Sequence, residues 1–391
     1  MFQPKTEAEL AEILAGGDGP FVITGGGSQG LAEMGALAEA TSLSMGAMRG
    51  VTLYEPGALT LVAQAGTPLA EIEAQLAAEN QRLAFEPPSF AKLLGHEAGS
   101  SIGGIAAANL SGPRRINAGA ARDSLIGVRF VDGSGSVISN GGRVMKNVTG
   151  IDLVKLLAGS FGTLGVLTEV SFKLLPMPET AACLILHGLS DAQAVAAMSK
   201  ALGSPFEITG AAHLPQAVGA EEAQTLLRIE GAAGSVAYRA GRLADLLAEF
   251  GPVEILSDPS QIADQWQVLH DAEPFADASG PVWRASVKPS DGPQLTAALP
   301  EGLRWFYDWG GGLVWLMAQS PEAGLADDLH RAIQAACGQL GGHARLIRDY
   351  QGLSQRQSVF QPQPPILQRL AQEMRAKFDP KGILNPGLMD S

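Results

Sequence analysis

The stretch from Gly95 to Arg115 is dense in glycine, serine and alanine, a composition that suits contact with an anion. Small side chains let a backbone approach a ligand closely and leave its N–H groups free to donate to phosphate oxygens. Ser100 and Ser101 add hydroxyl donors to the same run. A flexible linker is the alternative, but Ile102 and Leu110 introduce apolar side chains that a solvated linker does not need. We therefore predict a phosphate-binding segment here.

A second glycine run, Gly25–Gly30, follows a predicted strand and matches the G-x-G-x-x-G pattern of dinucleotide-binding folds. That fold needs an acidic residue about 20 positions later to hold a ribose. The corresponding region, Ser44–Gly50, has no carboxylate, and the next two runs, Gly50–Tyr54 and Leu59–Ala65, predict an antiparallel pair rather than a βαβ unit. We therefore interpret the run as a strand-to-loop turn whose N–H groups meet a pyrophosphate.

A third close-approach loop is predicted where Gly159, Gly162 and Gly165 precede a β-rich run, although ordinary turn glycines are the alternative.

Candidate catalytic side chains lie further along the chain. Arg284, Ser286 and Lys288 alternate along a predicted strand, Val282–Val287, so they should share one face. Arg284 is suited to bidentate binding of a substrate carboxylate, and Lys288 and Asp308 complete the catalytic set that we predict. The alternatives are a solvated cationic face for the strand and hairpin packing for the residues around Asp308.

No metal site is predicted. The six histidines do not cluster, and no His, Cys or Asp set has metal-ligand spacing. His96 is the only histidine near a predicted phosphate loop. A complete general base is therefore not visible in the sequence.

Composition excludes several classes of protein. At 391 residues two domains are expected, and a formal charge of −13 argues against nucleic acid as a partner. Only two cysteines are present, which favours a reducing, cytoplasmic setting. No apolar run is long enough to span a bilayer, and the acidic N-terminal helix does not resemble a signal peptide.

The predicted elements divide the chain into three ranges and give an α+β fold class. Residues 1–178 mix short helices and strands, whereas residues 179–345 repeat strand–helix–strand units with antiparallel returns. The second pattern predicts an α/β sandwich, an antiparallel sheet with helices on one face and its bare face over the ligand. Residues 346–391 carry an amphipathic helix, Pro365–Lys377, and return to the first domain.

The ordered motifs GGGSQG, SSIGGIAAANLSG, RDSLIGV and GTLGVLTEVSFKL resemble the FAD-binding domain of the vanillyl-alcohol oxidase and p-cresol methylhydroxylase (PCMH) family over about residues 1–178. Within that family, EPPSF, GPRR, VMKNVTGIDL and FDPKGILNPG are most similar to the FAD-binding E subunits of bacterial glycolate oxidases, over nearly the whole chain.

The resemblance implies a PCMH-type FAD-binding domain of two α+β subdomains with a cap domain over the flavin. It implies that the two phosphate loops line the pyrophosphate, that the loop at Gly165 lies by the adenine, and that Asn385 approaches the flavin. The cofactor-binding residues expected are Gly25, Gly26, Gly27, Ser28, Gln29, Gly30, Ser100, Ser101, Ile102, Gly103, Gly104, Ala107, Asn109, Gly162, Gly165, Val166, Leu167 and Asn385. Covalent members carry a tethering histidine just after the glycine pair of the first loop, whereas this chain has Gly27, Ser28 and Gln29, so we expect non-covalent FAD.

Three functions remain open at this point. The resemblance implies an FAD subunit of a glycolate oxidase complex that oxidises a small 2-hydroxy acid, with a larger FAD-binding subunit and an iron–sulfur subunit as partners. The complex would be cytoplasmic or peripheral on the inner membrane. The alternatives are a non-catalytic assembly or electron-relay subunit, and a free-standing FAD dehydrogenase for another small hydroxy acid or alcohol.

Overall fold

The structure is a computed structural model that describes residues 1–31, 34–142, 151–218 and 221–389. The predicted motif VMKNVTGIDL lies largely outside the described residues. In the first range the described elements are α1 (Glu7–Gly16), β1 (Phe21–Thr24), β2 (Thr41–Ser44), β3 (Val51–Glu55), β4 (Thr60–Gln64), α2 (Leu69–Ala78), β5 (Gln81–Leu83), α3 (Ala91–Leu94), α4 (Ile102–Ala108), α5 (Arg115–Ala118), α6 (Ala121–Ser124), β6 (Leu125–Val131), β7 (Val137–Gly141), α7 (Leu153–Leu157) and β8 (Val166–Pro176).

The second and third ranges of the chain contain the remaining helices and strands. Their described elements are β9 (Thr180–His187), α8 (Asp191–Leu202), β10 (Ile208–Leu214), β11 (Gln224–Gly231), α9 (Ala233–Leu247), β12 (Val253–Leu256), α10 (Pro259–His270), β13 (Val282–Ser286), α11 (Gly292–Ala297), β14 (Leu303–Asp308), β15 (Leu313–Ala318), α12 (Ala323–Gln339), β16 (His343–Arg348), α13 (Leu353–Arg356) and α14 (Pro365–Phe378).

Two sheets form the first range. The larger has the order β3-β4-β8-β6-β7, with β5 also paired to β8, and its pairs are antiparallel. The predicted pairing of β3 with β4 is confirmed. Helix α2 buries Leu69, Ile72 and Leu76 against this sheet, because a spacing of three to four residues puts them on one stripe of the helix.

The sequence analysis missed strand β2, which lies between the first glycine run and β3. Strands β1 and β2 form a two-stranded parallel pair, with Phe21 opposite Thr41, and a short 3₁₀ helix lies between them at Gly35–Glu39. A β–helix–β unit is therefore present. Its second strand is only four residues long, too short for a clear alternating pattern, and within the described residues the sheet stops at two strands.

The second range forms one antiparallel sheet of eight described strands, in the order β12-β9-β11-β10-β14-β15-β13-β16. Helices α8 and α9 pack on one face, against alternate residues of β9 such as Leu184. Helix α10 packs on the opposite face, where Trp266 joins Cys183 in the core shared with the first range. The prediction of helices on one face is therefore wrong for α10. Strand β16 was not predicted, and the proposed boundary at residue 345 falls inside it.

The C-terminal range returns to the beginning of the chain. Leu384 bridges in parallel with Phe21, and the N–H of Asn385 donates to the carbonyl of Phe21 at 2.9 Å. The antiparallel and mixed sheets with their helices confirm the predicted α+β class. No helix in the described ranges is both long and apolar enough to cross a membrane.

Candidate functional site

Strand β1, helix α4, strand β8 and the C-terminal segment line a cleft that is partly open to solvent. We call it the glycine cleft. Its described lining residues are Val22, Ile23, Thr24, Gly25, Gly26, Gly27, Ser28, Gln29, Leu31, Leu37, Met45, Ala65, Ser101, Gly103, Gly104, Ala107, Ala108, Phe161, Gly162, Gly165, Val166, Leu167 and Asn385. No charged side chain is among these lining residues.

The two glycine-rich loops pack directly on each other at the floor of the cleft. A Cβ atom placed on Gly26 would lie 1.7 Å from the carbonyl oxygen of Gly99, and one on Gly25 would lie 1.9 Å from Oγ of Ser101. Oγ of Ser28 and Oγ of Ser100 are 2.9 Å apart and join the loops again. Glycine is therefore required here because backbones cross at contact distance.

The first loop offers a row of unused donors. Within the described part of the chain, the backbone N–H groups of residues 25–29 have no hydrogen-bond acceptor. Oriented backbone N–H groups bind phosphate oxygens well. The loop is therefore suited to hold an anionic group with dipoles and without a cationic side chain.

Asn385 closes the cleft from the far end of the sequence. Its Oδ1 accepts from the N–H of Ile23 at 2.8 Å, and its Nδ2 donates to the carbonyl oxygen of Phe161 at 2.7 Å. One buried amide thus ties β1 to the loop before β8. The sequence resemblance named Asn385 but not these two partners.

Four residues expected at the ligand do not line the cleft. Ile102 faces the core, and the carboxamide of Asn109 accepts from the N–H of Arg122 at 2.9 Å. The hydroxyl of Ser100 points to that of Ser28. Gly30 lies in a turn, where its N–H donates to the carbonyl oxygen of Gly27. The other expected residues of the cofactor set lie together in the lining.

Sequence reasoning missed much of the apolar wall. Met45 follows the unpredicted strand β2, and Phe161 sits between two of the glycines of the third loop. The glycines marked the loop, but nothing in the sequence indicated that Phe161 itself faces the cleft.

Next to this cleft, the large sheet carries a cluster of arginines. Arg284 on β13 and Arg345 on β16 are direct cross-strand partners and so lie on the same face. Arg115 joins them from the first range: its guanidinium carbon lies 4.4 Å from the ring centre of Trp309, and that of Arg284 lies 4.8 Å from it. We call these three arginines and Trp309 the arginine site.

The guanidinium groups of the arginine site have almost no hydrogen-bond acceptors among the described residues. Among the described residues no hydrogen-bond acceptor faces the guanidinium of Arg115 or Arg284, and Arg345 has only Oε1 of Gln29, at 3.4 Å. Burial and the neighbouring Arg115 lower the pKa of Arg284 to about 10, and burial and Arg284 lower that of Arg345 to about 9. All three remain cations at neutral pH. Like charges opposite each other in a sheet are destabilising, so a bound anion would relieve the repulsion between these arginines.

The arginine site borders the glycine cleft. Arg345 contacts Gln29, a lining residue of the cleft, and its guanidinium carbon lies 4.6 Å from the ring centre of Phe161, another lining residue. A small anion on the arginines therefore lies beside whatever occupies the cleft.

Asp308 lies at the end of β14 on the same face of the sheet. Phe306, two residues earlier, is opposite Trp315, which is in turn opposite Arg284. Asp308 is 2% exposed, and its carboxylate accepts from the N–H of Trp309 at 2.6 Å. Burial raises the pKa of Asp308 to about 7, only partly offset by that hydrogen bond. It is therefore able to exchange a proton near neutral pH.

The structure does not bring Lys288 to this site. Strand β13 ends at Ser286, and Lys288 lies beyond it, exposed, before a short 3₁₀ turn. The alternation that put it beside Arg284 fails because the strand is one residue shorter than predicted. Arg115 and Arg345, which sequence reasoning did not assign, take its place.

Among the described residues, no group of three His, Cys, Asp or Glu side chains could hold a metal ion. Cys183 and Cys337 are both buried and unpaired.

Comparisons with known proteins match both the first part of the chain and the chain as a whole. Residues 1–141 match a family model described as an FAD binding domain. The chain is 35% identical to the glycolate oxidase subunit GlcE of Escherichia coli (strain K12) over 371 residues, which cover 95% of this chain and 92% of that protein. It is also 42% identical to the glycolate oxidase subunit GlcD of Bacillus subtilis (strain 168), but over only 27% of this chain and 21% of that one.

A solved structure supports the fold alone. The crystal structure of p-cresol methylhydroxylase with substrate bound superposes with a TM-score of 0.73 at 14% identity, over 98% of this chain and 87% of that one.

Proposed function

Because this chain belongs to the family of the glycolate oxidase subunit GlcE, we propose that it is the FAD-binding subunit of a glycolate oxidase complex and itself oxidises the substrate. The substrate class is a small 2-hydroxy acid, glycolate first, and the product is the 2-oxo acid, glyoxylate. The observation that carries this proposal is the arginine site, three cations beside the glycine cleft that have no hydrogen-bonded carboxylate among the described residues.

FAD is the cofactor of the chain, as its family and its FAD binding domain indicate. The residues present fit this group, because the free N–H groups of residues 25–29 suit its diphosphate and the apolar lining suits its rings. The described lining contains no histidine, cysteine or tyrosine. That composition supports our proposal that the FAD is bound non-covalently.

In the proposed mechanism the arginine site holds the carboxylate of the substrate. The guanidinium groups of Arg284 and Arg115 both lie against the ring of Trp309. A substrate carboxylate bound between the two cations would replace their repulsion with charge-assisted hydrogen bonds. FAD, when bound, supplies a two-electron acceptor for the hydrogen on the α-carbon. The buried aromatic side chains around the arginines exclude water from the reacting atoms.

Asp308 is the proposed base. Oxidation of an alcohol requires removal of the hydroxyl proton, and a base works best when its pKa is near the working pH. The carboxyl of Asp308, with a pKa of about 7, meets that condition. Arg284, on the same face, stabilises the carboxylate before it takes up the proton.

The electrons then leave to a partner subunit. An iron–sulfur cluster takes four cysteine ligands in the common case, and this chain has two cysteines in all. We therefore propose an iron–sulfur subunit as electron acceptor and a larger FAD-binding subunit as the third component. The complex is proposed to be cytoplasmic, or peripheral on the inner membrane through its other subunits.

A single anaerobic experiment tests the proposal. The FAD-loaded chain is mixed with glycolate, with and without the two partner subunits, and bleaching of its visible flavin absorbance is followed. Bleaching of the isolated chain supports oxidation by this subunit. Bleaching of this flavin only when the partner subunits are present would make the chain a relay subunit, and no bleaching of it in either case would make the chain an assembly subunit. Bleaching only by another hydroxy acid or alcohol would replace glycolate as the substrate.

A further inference from the structure

Two sequence motifs, EPPSF and GPRR, of which the proposed chemistry uses only Arg115, meet in a buried ion network. Both carboxylate oxygens of Glu86 accept from Arg228, each at 2.9 Å, and Nη1 of Arg114 lies 3.1 Å from Oε1 of Glu86. Arg114 also donates to both oxygens of Glu230, at 2.8 and 2.6 Å. Arg82 completes the network with a 2.9 Å contact to Glu230.

The network crosses between the two large parts of the molecule. Glu86, Arg114 and Arg82 belong to the first range, whereas Arg228 and Glu230 lie on β11 of the large sheet. Burial alone would raise the pKa of Glu86, but Arg228 and Arg114 hold it down at about 2. Its charge is therefore fixed at any physiological pH, and a buried charge that is bound on several sides resists displacement.

Arg114 is also part of the backbone that leads to the arginine site. Its N–H donates to Oε2 of Glu86 at 3.0 Å, at the position that begins helix α5. The next residue is Arg115, which stacks on Trp309. Fixing Arg114 therefore fixes the origin of the side chain of Arg115.

Trp309 is held by the same segment. Its indole Nε1 donates to the carbonyl oxygen of Gly112 at 3.0 Å, and the N–H of Gly112 donates to the carbonyl of Phe85 at 3.0 Å. The segment 112–115 thus carries one arginine of the site and anchors the aromatic ring that the other arginine, Arg284, packs on.

We propose that Arg114 is a positioning residue that sets the affinity of the arginine site for a carboxylate, by holding the segment 112–115 between Glu86 and Glu230. Arg114 does not touch the substrate. It acts through Arg115 and Trp309, whose separation from Arg284 depends on where that segment lies. This inference rests on the proposed function, because it assumes that the arginine site binds the substrate carboxylate.

The test compares Arg114→Met with a matched control, Lys92→Met. Lys92 also forms an ion pair between the two parts of the molecule, with Glu273 at 2.6 Å, but neither residue contacts the segment 112–115. Three quantities are measured on the FAD-loaded protein with its partner subunits. They are KM and kcat for glycolate, and the dissociation constant of oxalate, a carboxylate that cannot be oxidised, from the shift it causes in the flavin spectrum.

We expect Arg114→Met to raise KM and the oxalate dissociation constant by about tenfold, since small displacements in a site cost rates and affinity steeply. The value of kcat and the amount of bound FAD should change little. Arg114→Lys should recover part of the loss because it keeps the charge but not the bidentate contact. Lys92→Met should match the wild type in both constants.

The inference is overturned if Arg114→Met and Lys92→Met bind oxalate equally well and differ only in thermal stability, because the network then has only a structural role. If Arg114→Met does not fold, Arg114→Lys and the isosteric Glu230→Gln are compared with the control in the same way. A wild-type protein that binds no oxalate and oxidises no glycolate defeats the proposed function instead, so the two failures are distinguishable.

Discussion

The glycine cleft and the arginine site are both suited to anions, but one uses backbone N–H groups and the other uses charged side chains. The cleft presents backbone N–H groups between crossing loops and has no charged lining residue. The arginine site presents three guanidinium groups against aromatic rings, and no described carboxylate is hydrogen-bonded to them.

The difference follows from the ligand that we propose for each site. A diphosphate inside a large cofactor is also held by its rings and sugars, so fixed dipoles are enough for its charge. A two-carbon acid has almost nothing but its carboxylate to bind, so affinity must come from full charges in a partly desolvated place. Backbone dipoles suit a resident group, and side-chain charges suit one that must arrive and leave.

The largest effect is expected in the cleft, from Gly26→Ala. The new methyl group would lie 1.7 Å from the carbonyl oxygen of Gly99, so the two loops must separate. We expect the purified variant to carry almost no FAD, measured as the ratio of visible to ultraviolet absorbance. Gly99→Ala is the control, because a Cβ there meets nothing within 4 Å. Equal FAD content in the two variants would contradict the crossing-loop account.

The next effect is expected in the arginine site. Arg284→Met should raise KM for glycolate by about 100-fold, since losing one partner of a buried charge pair costs about 2 to 5 kcal/mol. Bound FAD should stay at the wild-type level, which separates this site from the cleft. Lys288→Met, two residues beyond the same strand and exposed, should leave KM unchanged. A rise in KM for Lys288→Met would restore the original sequence prediction for that residue.

A smaller and graded effect is expected from pH. Because burial raises the pKa of Asp308 to about 7, the base is protonated and inactive below that pH. We expect kcat/KM to fall by about tenfold for each pH unit below 7. The residual activity of Asp308→Asn should not depend on pH in that range. A wild-type profile that is flat from pH 5 to 8 would exclude Asp308 as the base.

The raised pKa of Asp308 also makes the stability of the folded protein depend on pH. The folded protein binds the proton of Asp308 more tightly than the unfolded chain does, so its contribution to stability is greatest below pH 3.8 and is lost as pH rises to about 7. Asp308→Asn should therefore melt at a higher temperature than the wild type at pH 8 and at a similar temperature at pH 4. If Asp308→Asn melted at a lower temperature than the wild type at pH 8, the ionised carboxylate would be stabilised by other groups in the folded protein.

The smallest effect is expected from Asn385→Ala, which removes two hydrogen bonds at the rim of the cleft. Each net hydrogen bond contributes about 0.5 to 1.5 kcal/mol, so the dissociation constant of FAD should rise by about tenfold, measured by fluorescence titration. Gln372→Ala removes an exposed amide on α14 and should have no effect. An unchanged dissociation constant for Asn385→Ala would mean that the rim does not contribute to retention of the cofactor.

What the sequence could predict depended on how local the signal was. The amphipathic helix predicted at Pro365–Lys377 and the antiparallel pair of β3 with β4 followed from spacing within a few residues, and both are confirmed. The glycine loops could be recognised because close backbone approach leaves few choices of residue. Their crossing could not, because Gly26 and Gly99 are far apart in the sequence.

The arginine site was harder for the same reason. Arg284 stood out on an alternating strand, but Arg345 becomes relevant only when β16 pairs with β13. Arg115 becomes relevant only when Trp309 reaches it from the large sheet. Lys288 was included because alternation alone does not indicate where a strand ends.

The bonds of Asn385 also set the order in which the molecule can be completed during synthesis. Ile23 and Asn385 are separated by 362 residues, and the whole large sheet is translated between them. At about 5 to 20 residues per second, a ribosome needs about 20 to 70 s to pass from one to the other. Once residues 95–104 are made, the nascent chain has both crossing glycine loops but not yet the amide that closes the cleft. The contribution of Asn385 to the affinity for FAD is therefore acquired only near the end of translation.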